Sequence, residues 1–429
     1  FQYIMLAVVT IVMASCTSDI EETTAATGKN NVQLVVGEFP AFGDSQTRAI
    51  GTPDEGKTSW AEGDELLLVI DNTSYGSHSA TFTYNGKSWK LTSGELVYRE
   101  GDPAYIPHVY YAPNYKWEAG KLVLKEGKVA GTDEYIEGTA EITPNGEAIT
   151  VKFAEATRNY SRLRIATMPN MPITVSISEY TPAGSSDMEW SQNIALTSDE
   201  NGNAYLYGTF ENNSEVTVKY REAALKTYKF SKATESAKSY ALDATVISAN
   251  SAEEIKSAIE RKVADGKTYI NLMLAPDVDE ETLDAIHIGL LEGDARDGTI
   301  NLTLIGCKKI PSGGFMYWKM LKSIALPDVT EIAEKAFLDC TRLQKVVLGN
   351  LTKVYGKAGE KGIFEGCRTK DIDLILSKDQ KVMNGGETEG GYCWTADIIK
   401  DYAGSDEHNS KEFLGYENFK SITCDYPVP

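Results

Sequence analysis

The first part of the chain, from residue 32 to about residue 156, alternates short apolar runs with turn residues. This pattern is typical of an all-β unit, because each strand buries one face and the turns between strands need polar or conformationally free residues. Asn85-Gly86 stands between two such runs and predicts a two-residue hairpin, since both positions of that turn need a positive φ. The predicted strands cover residues 66–70, 80–84, 105–111, 121–124 and 149–153.

A second β-rich stretch runs from residue 161 to about residue 245 with the same spacing of strands and turns. Its strands are predicted at residues 163–165, 173–177, 204–210 and 216–220. The two stretches together predict two successive β-sandwich domains, over residues 32–156 and 157–247.

The pattern becomes helical at Ser251. Ser251 with Glu254 three places later is a capping-box signature, and apolar residues recur behind it at helical spacing. A second helix is predicted over residues 279–291, where acidic residues fill the first turn and interact favourably with the helix dipole. We expect these helices to form a cap, residues 248–299, for the domain that follows.

An internal repeat with a period of 22 residues begins near residue 300. Apolar residues follow each copy of the repeat at the same offsets, so that their phase is kept along the chain. Such a phase predicts repeats that stack, since one repeat cannot bury its apolar face alone. The aligned triplets are residues 302–304, 324–326 and 346–348, and the aligned phenylalanines are Phe315, Phe337 and, after an insertion, Phe364.

Strand alternation divides the residues of each triplet between two faces. The apolar first and third residues of a triplet are predicted to point into the core of the repeats. Their neighbours then point toward a partner or toward solvent, which makes them the candidate binding surface. These residues are Thr303, Ser323, Ala325, Lys345 and Val347.

Two strings of the repeat region closely resemble BspA-type leucine-rich repeats: LKSIALP at residues 321–327 and AFLDCTRL at residues 336–343. The resemblance implies a leucine-rich-repeat solenoid over residues 300–390, followed by a C-terminal cap over residues 391–429. It also implies an extracellular adhesive or ligand-binding role.

The first β-rich stretch resembles the N-terminal domain of Bacteroidetes fimbrillin-like lipoproteins in the strings TRA (47–49), WAEGDEL (60–66), FTYNGKSW (82–89) and YYAP (110–113). The second stretch resembles the second sandwich of the same proteins. In that family the protein is a pilus building block or a tip or anchor component, and subunits polymerise after a protease cuts behind an arginine near the N-terminus. Arg48 stands where such a cut would fall. Alternatively, Arg48 is an exposed arginine in a linker.

The N-terminal segment carries the signature of a lipoprotein signal. Residues 1–14 are nearly continuously apolar but too few to span a bilayer, and Met13-Ala14-Ser15-Cys16 resembles a lipobox. We expect a truncated signal peptide over residues 1–15, a lipid on Cys16 and a flexible tether over residues 16–31. The alternative is a conventional secretory signal with an incidental cysteine.

The acidic residues directly behind Cys16 resemble the surface-export signal of Bacteroidetes lipoproteins. That resemblance implies a lipid-anchored protein of the cell outer membrane that faces the medium. An ordinary solvated linker is the alternative interpretation of the same residues.

Composition and motifs argue against several classes of function. With 62 acidic and 42 basic residues, the net charge is −20, which excludes a general nucleic-acid binder. The sequence contains no zinc-protease motif, no nucleophile elbow and no phosphate-binding loop after a strand. We therefore predict no catalytic residues, no cofactor and no metal site.

The chain has six cysteines, of which Cys16 is assigned to lipid. Cys307, Cys340 and Cys367 fall at repeat positions that are predicted to be buried. Cys393 and Cys424 lie outside the repeat, where they form either a disulfide that ties the C-terminal cap or two separate buried thiols.

The predicted fold class is mainly β with a short α/β segment: two β-sandwiches of fimbrillin-like type, followed by a short leucine-rich-repeat solenoid with a helical N-terminal cap. The predicted function is adhesion or ligand binding by a surface lipoprotein, with outer-membrane lipid at Cys16 and a host or bacterial surface protein or glycan at the solenoid. The alternatives are an accessory, tip or anchor subunit of a fimbria, which contacts other fimbrial subunits, and a glycan-capture lipoprotein.

Overall fold

The computed structural model describes residues 33–40, 42–44, 57–72, 76–95, 106–142, 148–153, 158–355, 362–377, 382–383, 393–394, 413–414 and 416–426. The chain forms two compact units. Unit 1 comprises residues 1–41, 55–126 and 134–158, and unit 2 comprises residues 42–54, 127–133 and 159–429.

The protein is mostly β, as the sequence predicts. Its strands are β1 Gln33–Val36, β2 Gly43–Asp44, β3 Glu65–Asn72, β4 Gly76–Tyr84, β5 Trp89–Gly94, β6 Ile106–Tyr111, β7 Tyr115–Glu118, β8 Lys121–Leu124, β9 Ile136–Ile142, β10 Ala148–Lys152, β11 Ser161–Ala166, β12 Pro172–Pro182, β13 Glu189–Thr197, β14 Asn203–Phe210, β15 Glu215–Tyr220, β16 Ala223–Lys229, β17 Lys238–Asp243, β18 Val246–Ser248, β19 Tyr269–Met273, β20 Ile300–Ile305, β21 Lys309–Ile310, β22 Leu321–Leu326, β23 Glu331–Ile332, β24 Lys345–Leu348, β25 Lys353–Val354, β26 Asp373–Ser377, β27 Val382–Met383, β28 Cys393–Trp394 and β29 Ser421–Tyr426. The helices are α1 Ala252–Ala264, α2 Glu280–Glu292 and a short 3-10 helix, Thr369–Asp371.

Unit 1 is built on one sheet with the strand order β1-β10-β9-β6-β3-β4-β5. Alternate residues such as Leu66 and Leu68 point into its core, where they are fully buried. The sheet curls so that its edge strands β1 and β5 come into contact. Trp60 fills the core edge-on against the rings of Phe39, at 4.9 Å, and Tyr111, at 5.3 Å. The first predicted sandwich is therefore one continuous curled sheet.

The hairpin between β4 and β5 exists as predicted, but its predicted turn type is wrong. Four residues separate Tyr84 from Trp89, which pair across the two strands. Gly86 has a φ of +86°, whereas Asn85 stays outside the left-handed region. The side chain of Asn85 instead closes the turn, because its Oδ1 accepts the backbone N–H of Ser88 at 2.8 Å.

A two-residue turn with two positive φ values occurs one hairpin later. Ala119 and Gly120 join β7 to β8 with φ values of +52° and +81°. Such a turn matches the right-handed twist of the two strands it connects. The β7–β8 hairpin is a separate two-stranded sheet of unit 1.

The first sheet of unit 2 has the strand order β16-β15-β12-β14-β11-β17-β2, with β13 paired to β12. Most of its pairs are antiparallel, but β11 pairs with β17 in parallel. Its core contains the stacked rings of Phe210 and Phe230, at 5.2 Å, and the ring of Tyr180, whose hydroxyl donates to the Tyr207 carbonyl at 2.6 Å. This sheet also curls, since its distant strands β16 and β17 are in contact.

Both helices begin at the residues that the sequence predicts. The Ser251 hydroxyl accepts the Glu254 N–H at 3.3 Å, and the Asp279 carboxylate accepts the Thr282 N–H at 2.8 Å. The two helices pack closely, because a Cβ on Gly289 would lie only 2.7 Å from the Lys256 carbonyl. Within the described part of the chain, no helix is long and apolar enough to cross a membrane.

The repeats form a parallel sheet with the order β18-β19-β20-β22-β24-β26-β29. Equivalent residues of successive repeats are direct partners: Leu302 pairs with Ile324, and Ile324 pairs with Val346. The short strands β21, β23 and β25 form a second parallel sheet. Hydrogen bonds repeat at the same spacing, since the hydroxyls of Thr330 and Thr352 each donate to a carbonyl 22 residues earlier at 3.2 Å.

A ladder of phenylalanine rings runs through the core of these repeats. Phe315 stacks on Phe337 with ring centroids 5.5 Å apart, and Phe337 stacks on Phe364 at 5.3 Å. Phe419, from the C-terminal residues, covers the last ring edge-on at 5.6 Å. At the other end of the ladder Trp318 packs on Phe315 at 5.2 Å.

We predict that Phe337→Ala lowers the free energy of unfolding of the repeats by about 3–5 kcal/mol, because it removes a fully buried ring from the middle of the ladder. Urea titration of the full chain, followed by circular dichroism, measures this change. Tyr317→Ala is the matched control, since Tyr317 is 53% exposed and its loss should change stability by no more than about 0.5 kcal/mol. Equal effects of the two substitutions would contradict the ladder as a source of stability.

Candidate binding surface

The five residues predicted to form a binding surface do not form an open one. Thr303 and Val347 are each 1% exposed, and Ala325 is 6% exposed. Ser323 and Lys345 are partly exposed. The prediction that all five face a partner or solvent is therefore wrong for Thr303, Ala325 and Val347.

The cover of this surface is the first sheet of unit 2. Ala223, in β16, packs against Ala325 and Val347, with Ile375 at the edge of the same cluster. The small alanine side chains allow the two sheets to approach closely. The Asn271 side-chain amide, from β19, donates to the Leu225 carbonyl at 3.0 Å, which adds a polar link to the same contact.

Arg221 fixes the turn between β15 and β16 onto the repeats. Its guanidinium donates to the Pro327 carbonyl at 3.0 Å and forms a 2.9 Å ion pair with Asp328. The second carboxylate oxygen of Asp328 accepts the Gly306 N–H at 2.9 Å, so one repeat holds the acid in place for the arginine. The side chains of Arg221 and Asp328 are only 19% and 7% exposed. Burial raises the pKa of the neighbouring Tyr220, and the negative charge of Asp328 raises it further.

A cleft of about 280 Å³ lies in unit 1 between the outer face of the sheet and the β7–β8 hairpin. We call it the hairpin cleft. Its floor is a row of residues that pair across four neighbouring strands. In order across β5, β4, β3 and β6, they are Ser93, Thr81, Leu67 and Tyr110. The row places two hydroxyl-bearing side chains beside an aromatic ring.

The hairpin forms the wall of this cleft. Tyr115 and Trp117 line it and alternate along β7 with the exposed Lys116 and Glu118. The Tyr115 ring is held by the Tyr135 ring at 5.1 Å, and burial raises the pKa of Tyr115.

The charged side chains that the structure describes along the hairpin cleft form ion pairs. Glu65 and Lys125, which both line it, lie 3.6 Å apart as an ion pair. Lys116, which also lines it, pairs with Glu118 at 2.8 Å, and this lowers the pKa of Glu118.

The sequence offers Tyr75, Trp89 and Tyr110 as aromatic rivals to the repeat surface, with core packing as the favoured alternative for each. Tyr110 lines the hairpin cleft. Trp89 instead packs at the core edge, 5.2 Å from the Trp60 ring. Tyr75 lies outside the described residues. Trp117 was missed, although the alternation of Tyr115 and Trp117 along one strand was a signal that two rings share one side of a hairpin.

A second cavity, of about 230 Å³, lies in unit 2 and is lined by residues of β15, β16 and β17. Its walls include Leu163, Phe230 and Leu242, which are almost fully buried, and Tyr228, which is 43% exposed. The Tyr240 hydroxyl at this cavity accepts the Glu235 N–H at 3.0 Å. The cavity is therefore mainly apolar, whereas the hairpin cleft combines rings with hydroxyls and charges.

The three repeat cysteines are structural thiols. Cys307 and Cys340 are fully buried, and the thiols of Cys340 and Cys367 each donate to a phenylalanine carbonyl of the preceding repeat at 3.0 Å. Burial raises the pKa of Cys307 and of Cys340 to about 12, and it raises the pKa of Cys367 as well. Thiols with a raised pKa are poor nucleophiles and poor metal ligands. Within the described ranges, no group of three or more His, Cys, Asp or Glu residues is placed to hold a metal ion.

The remaining predicted sites lie outside what the structure describes. Cys16 and Arg48 are outside the described residues. Cys393 is in β28, opposite Met383, and Cys424 is in β29, but their side chains are not among those described. The disulfide between Cys393 and Cys424 stays a prediction.

No protein-family model matches the chain, and no curated protein matches it. Among solved structures, the chain is similar to a candidate cell adhesion protein of Bacteroides fragilis, with 12% identity, a TM-score of 0.27, and coverage of 50% of this chain and 92% of that one. It is also similar to the minor pilin of Streptococcus agalactiae (9% identity, TM-score 0.18, 50% and 94% covered) and to a shaft pilin of Lactobacillus rhamnosus GG (14% identity, TM-score 0.19, 49% and 96% covered). TM-scores this low do not transfer a fold or a function to this chain.

We predict that Arg221→Ala destabilises unit 2 by about 2–3 kcal/mol, because it leaves the nearly buried Asp328 without its ion-pair partner. Differential scanning calorimetry of the full chain measures the shift in the unfolding transition. The matched control is Lys232→Ala, which breaks the Lys232–Glu235 pair, whose side chains are 77% and 61% exposed. Loss of that exposed pair should cost no more than about 0.5 kcal/mol. A loss for Arg221→Ala as small as that of the control would show that the ion pair does not hold the repeats to the sheet.

Proposed function

We propose that the chain is a surface-anchored lipoprotein that acts in adhesion by binding a ligand, without catalysis. Its lipid is attached at Cys16, and the tether over residues 16–31 holds it at the outer membrane. Its two β domains, over residues 32–156 and 157–247, are of fimbrillin-like type. The acidic net charge of −20 keeps such an exposed protein soluble by self-repulsion.

The observation that carries the binding role is the hairpin cleft. Ligand sites are concave, and they combine aromatic surface with a few polar groups that fix orientation. The hairpin cleft has this composition, with Tyr110 and Trp117 beside Thr81 and Glu65. Among the described residues that line it, Glu65 is the sole carboxylate, and it is paired with Lys125. Hydrolysis of a glycoside uses two carboxylates, so this arrangement suits binding.

We assign the repeats to the BspA type of leucine-rich repeat and give them a supporting role in this function. The assignment is supported by the 22-residue spacing of their hydrogen bonds and by the ladder of Phe315, Phe337 and Phe364. Thr303, Ala325 and Val347 are covered by the adjoining sheet, so ligand capture by that face of the solenoid is not part of the proposal.

A fimbrial subunit is the second candidate function, and one observation favours it. The two strands that precede Arg48 are both edge strands: β1 pairs with β10 at one edge of its sheet, and β2 pairs with β17 at the edge of the other. A cut after Arg48 would separate both strands covalently from the rest of the chain. Leu34, in β1, is 6% exposed, so loss of β1 would open a core position to a strand from a neighbouring subunit.

Protease shaving of intact cells tests surface anchoring. We expect the wild-type protein to be digested on intact cells and Cys16→Ala to be released from the membrane fraction, because the substitution removes the lipid attachment. Cys367→Ala is the matched control, since that cysteine belongs to the repeats and its loss should leave membrane attachment unchanged. A wild-type band that resists protease until the cells are lysed would place the protein inside the envelope and rule out surface adhesion.

The fimbrial alternative predicts that an arginine-specific protease cuts the purified chain after Arg48 and converts it to polymers. Arg48→Ala should then remain uncut and monomeric, whereas Arg342→Ala, at an exposed arginine of the repeats, should behave as the wild type. Mass spectrometry of the new N-terminus and size-exclusion chromatography read the two steps. Cleavage after Arg48 that leaves only monomers would remove the support for strand exchange.

A further inference from the structure

The floor of the hairpin cleft presents three hydroxyl groups from adjacent strands. Ser79 and Thr81 come from β4 and Ser93 comes from β5, and all three line the cleft. Throughout the part of the chain that the structure describes, their side chains donate no hydrogen bond to the protein. A hydroxyl can both donate and accept, so this row is suited to a ligand that itself carries several hydroxyls.

Aromatic rings line the same cleft. Trp117 and Tyr115 come from the hairpin, and Tyr110 stands in the floor beside Leu67. Flat rings of this kind offer a large apolar surface at little cost in side-chain entropy. A ligand that fits both the wall and the floor has an apolar face and a polar rim.

The ion pairs of the lining restrict the class of ligand further. Lys125 is paired with Glu65 and Lys116 is paired with Glu118, so the described residues of the lining offer no unpaired cation for an anionic group. An apolar peptide side chain would bury the three hydroxyls without hydrogen-bond partners, which is unfavourable. An uncharged polyol ring satisfies these groups, and the Glu65 carboxylate can accept a hydrogen bond from one of its hydroxyls.

From these contacts we propose that the hairpin cleft binds an uncharged sugar ring at the end of a glycan chain. The proposal rests on the binding role proposed above and names its ligand class. The C–H face of the sugar packs on Trp117, and its hydroxyls bond to Thr81 and Ser93. The open cleft of about 280 Å³ is near the lower limit of ligand pockets, which suits a terminal sugar of a longer chain.

The test measures binding of the purified full-length protein to immobilised desialylated mucin by biolayer interferometry. The second surface carries the same mucin after periodate oxidation, which opens sugar rings that bear vicinal hydroxyls and leaves the polypeptide in place. We expect binding to the first surface and a loss of at least about tenfold in affinity on the second. Affinity should change little when the salt concentration is raised, since the charged side chains described at the cleft are paired with one another.

Trp117→Ala should weaken binding at least about tenfold, because it removes the apolar wall. Trp190→Ala is the matched control, because Trp190 is 71% exposed in β13, outside the cleft. The affinity of this variant for mucin should stay within about twofold of the wild type. Thr81→Val keeps the shape of the floor and removes one hydroxyl, so it should cost about threefold or more. Thermal unfolding of each variant verifies that the chain is folded.

Several results would overturn the proposal. A folded Trp117→Ala or Thr81→Val variant with wild-type affinity would exclude the hairpin cleft. Equal binding to oxidised and intact mucin would show that the partner is a polypeptide. No binding of the wild-type protein to intact desialylated mucin would reject the sugar assignment, while the surface location is judged separately by protease shaving of cells.

Discussion

A parallel sheet has to be covered on both faces, and this constraint shapes unit 2. The inner face of the repeat sheet is covered by the helices and by the turns that carry the phenylalanine ladder, which share one apolar core. The outer face is covered by β16, through Ala223 against Ala325 and Val347. Both covers are needed for stability, because an open face of a parallel sheet would expose a continuous apolar strip to water.

The same constraint decides where a ligand can bind. Once the outer face of the repeats is used as an internal interface, its covered residues Thr303, Ala325 and Val347 are no longer available to a partner. The concave, ring-lined surface in unit 1 lies on a sheet whose other face already holds the core, with Leu66 and Leu68 inside and Leu67 in the cleft floor. Antiparallel sheets of this kind are free to use one face for function, since burial of the other face supplies their stability.

Much of unit 2 could be predicted from the sequence because its signals are local or periodic. The capping residues Ser251 and Asp279 mark the helix starts, and the 22-residue phase identifies Leu302, Ile324 and Val346 as core residues. The cover on the outer face could not be predicted in the same way, because Ala223 is far in sequence from Ala325 and Val347. The alternation rule treated the outer positions as exposed, yet Thr303, Ala325 and Val347 carry no charge, which was a sign of burial. In the same way, the hairpin cleft depends on how β7 and β8 fold over a distant row of residues.

The contact between Arg221 and Asp328 has a consequence for how this protein can change by gene duplication. The adjoining sheet touches the repeats that contain Ala325, Asp328 and Val347, so these repeats have fixed places. A duplicated repeat inserted before Ala325 would move new side chains under Ala223 and Arg221. A repeat added after Ile375 would instead extend the phenylalanine ladder and leave that contact unchanged. The array is therefore free to lengthen only on the C-terminal side of the repeats that the sheet contacts.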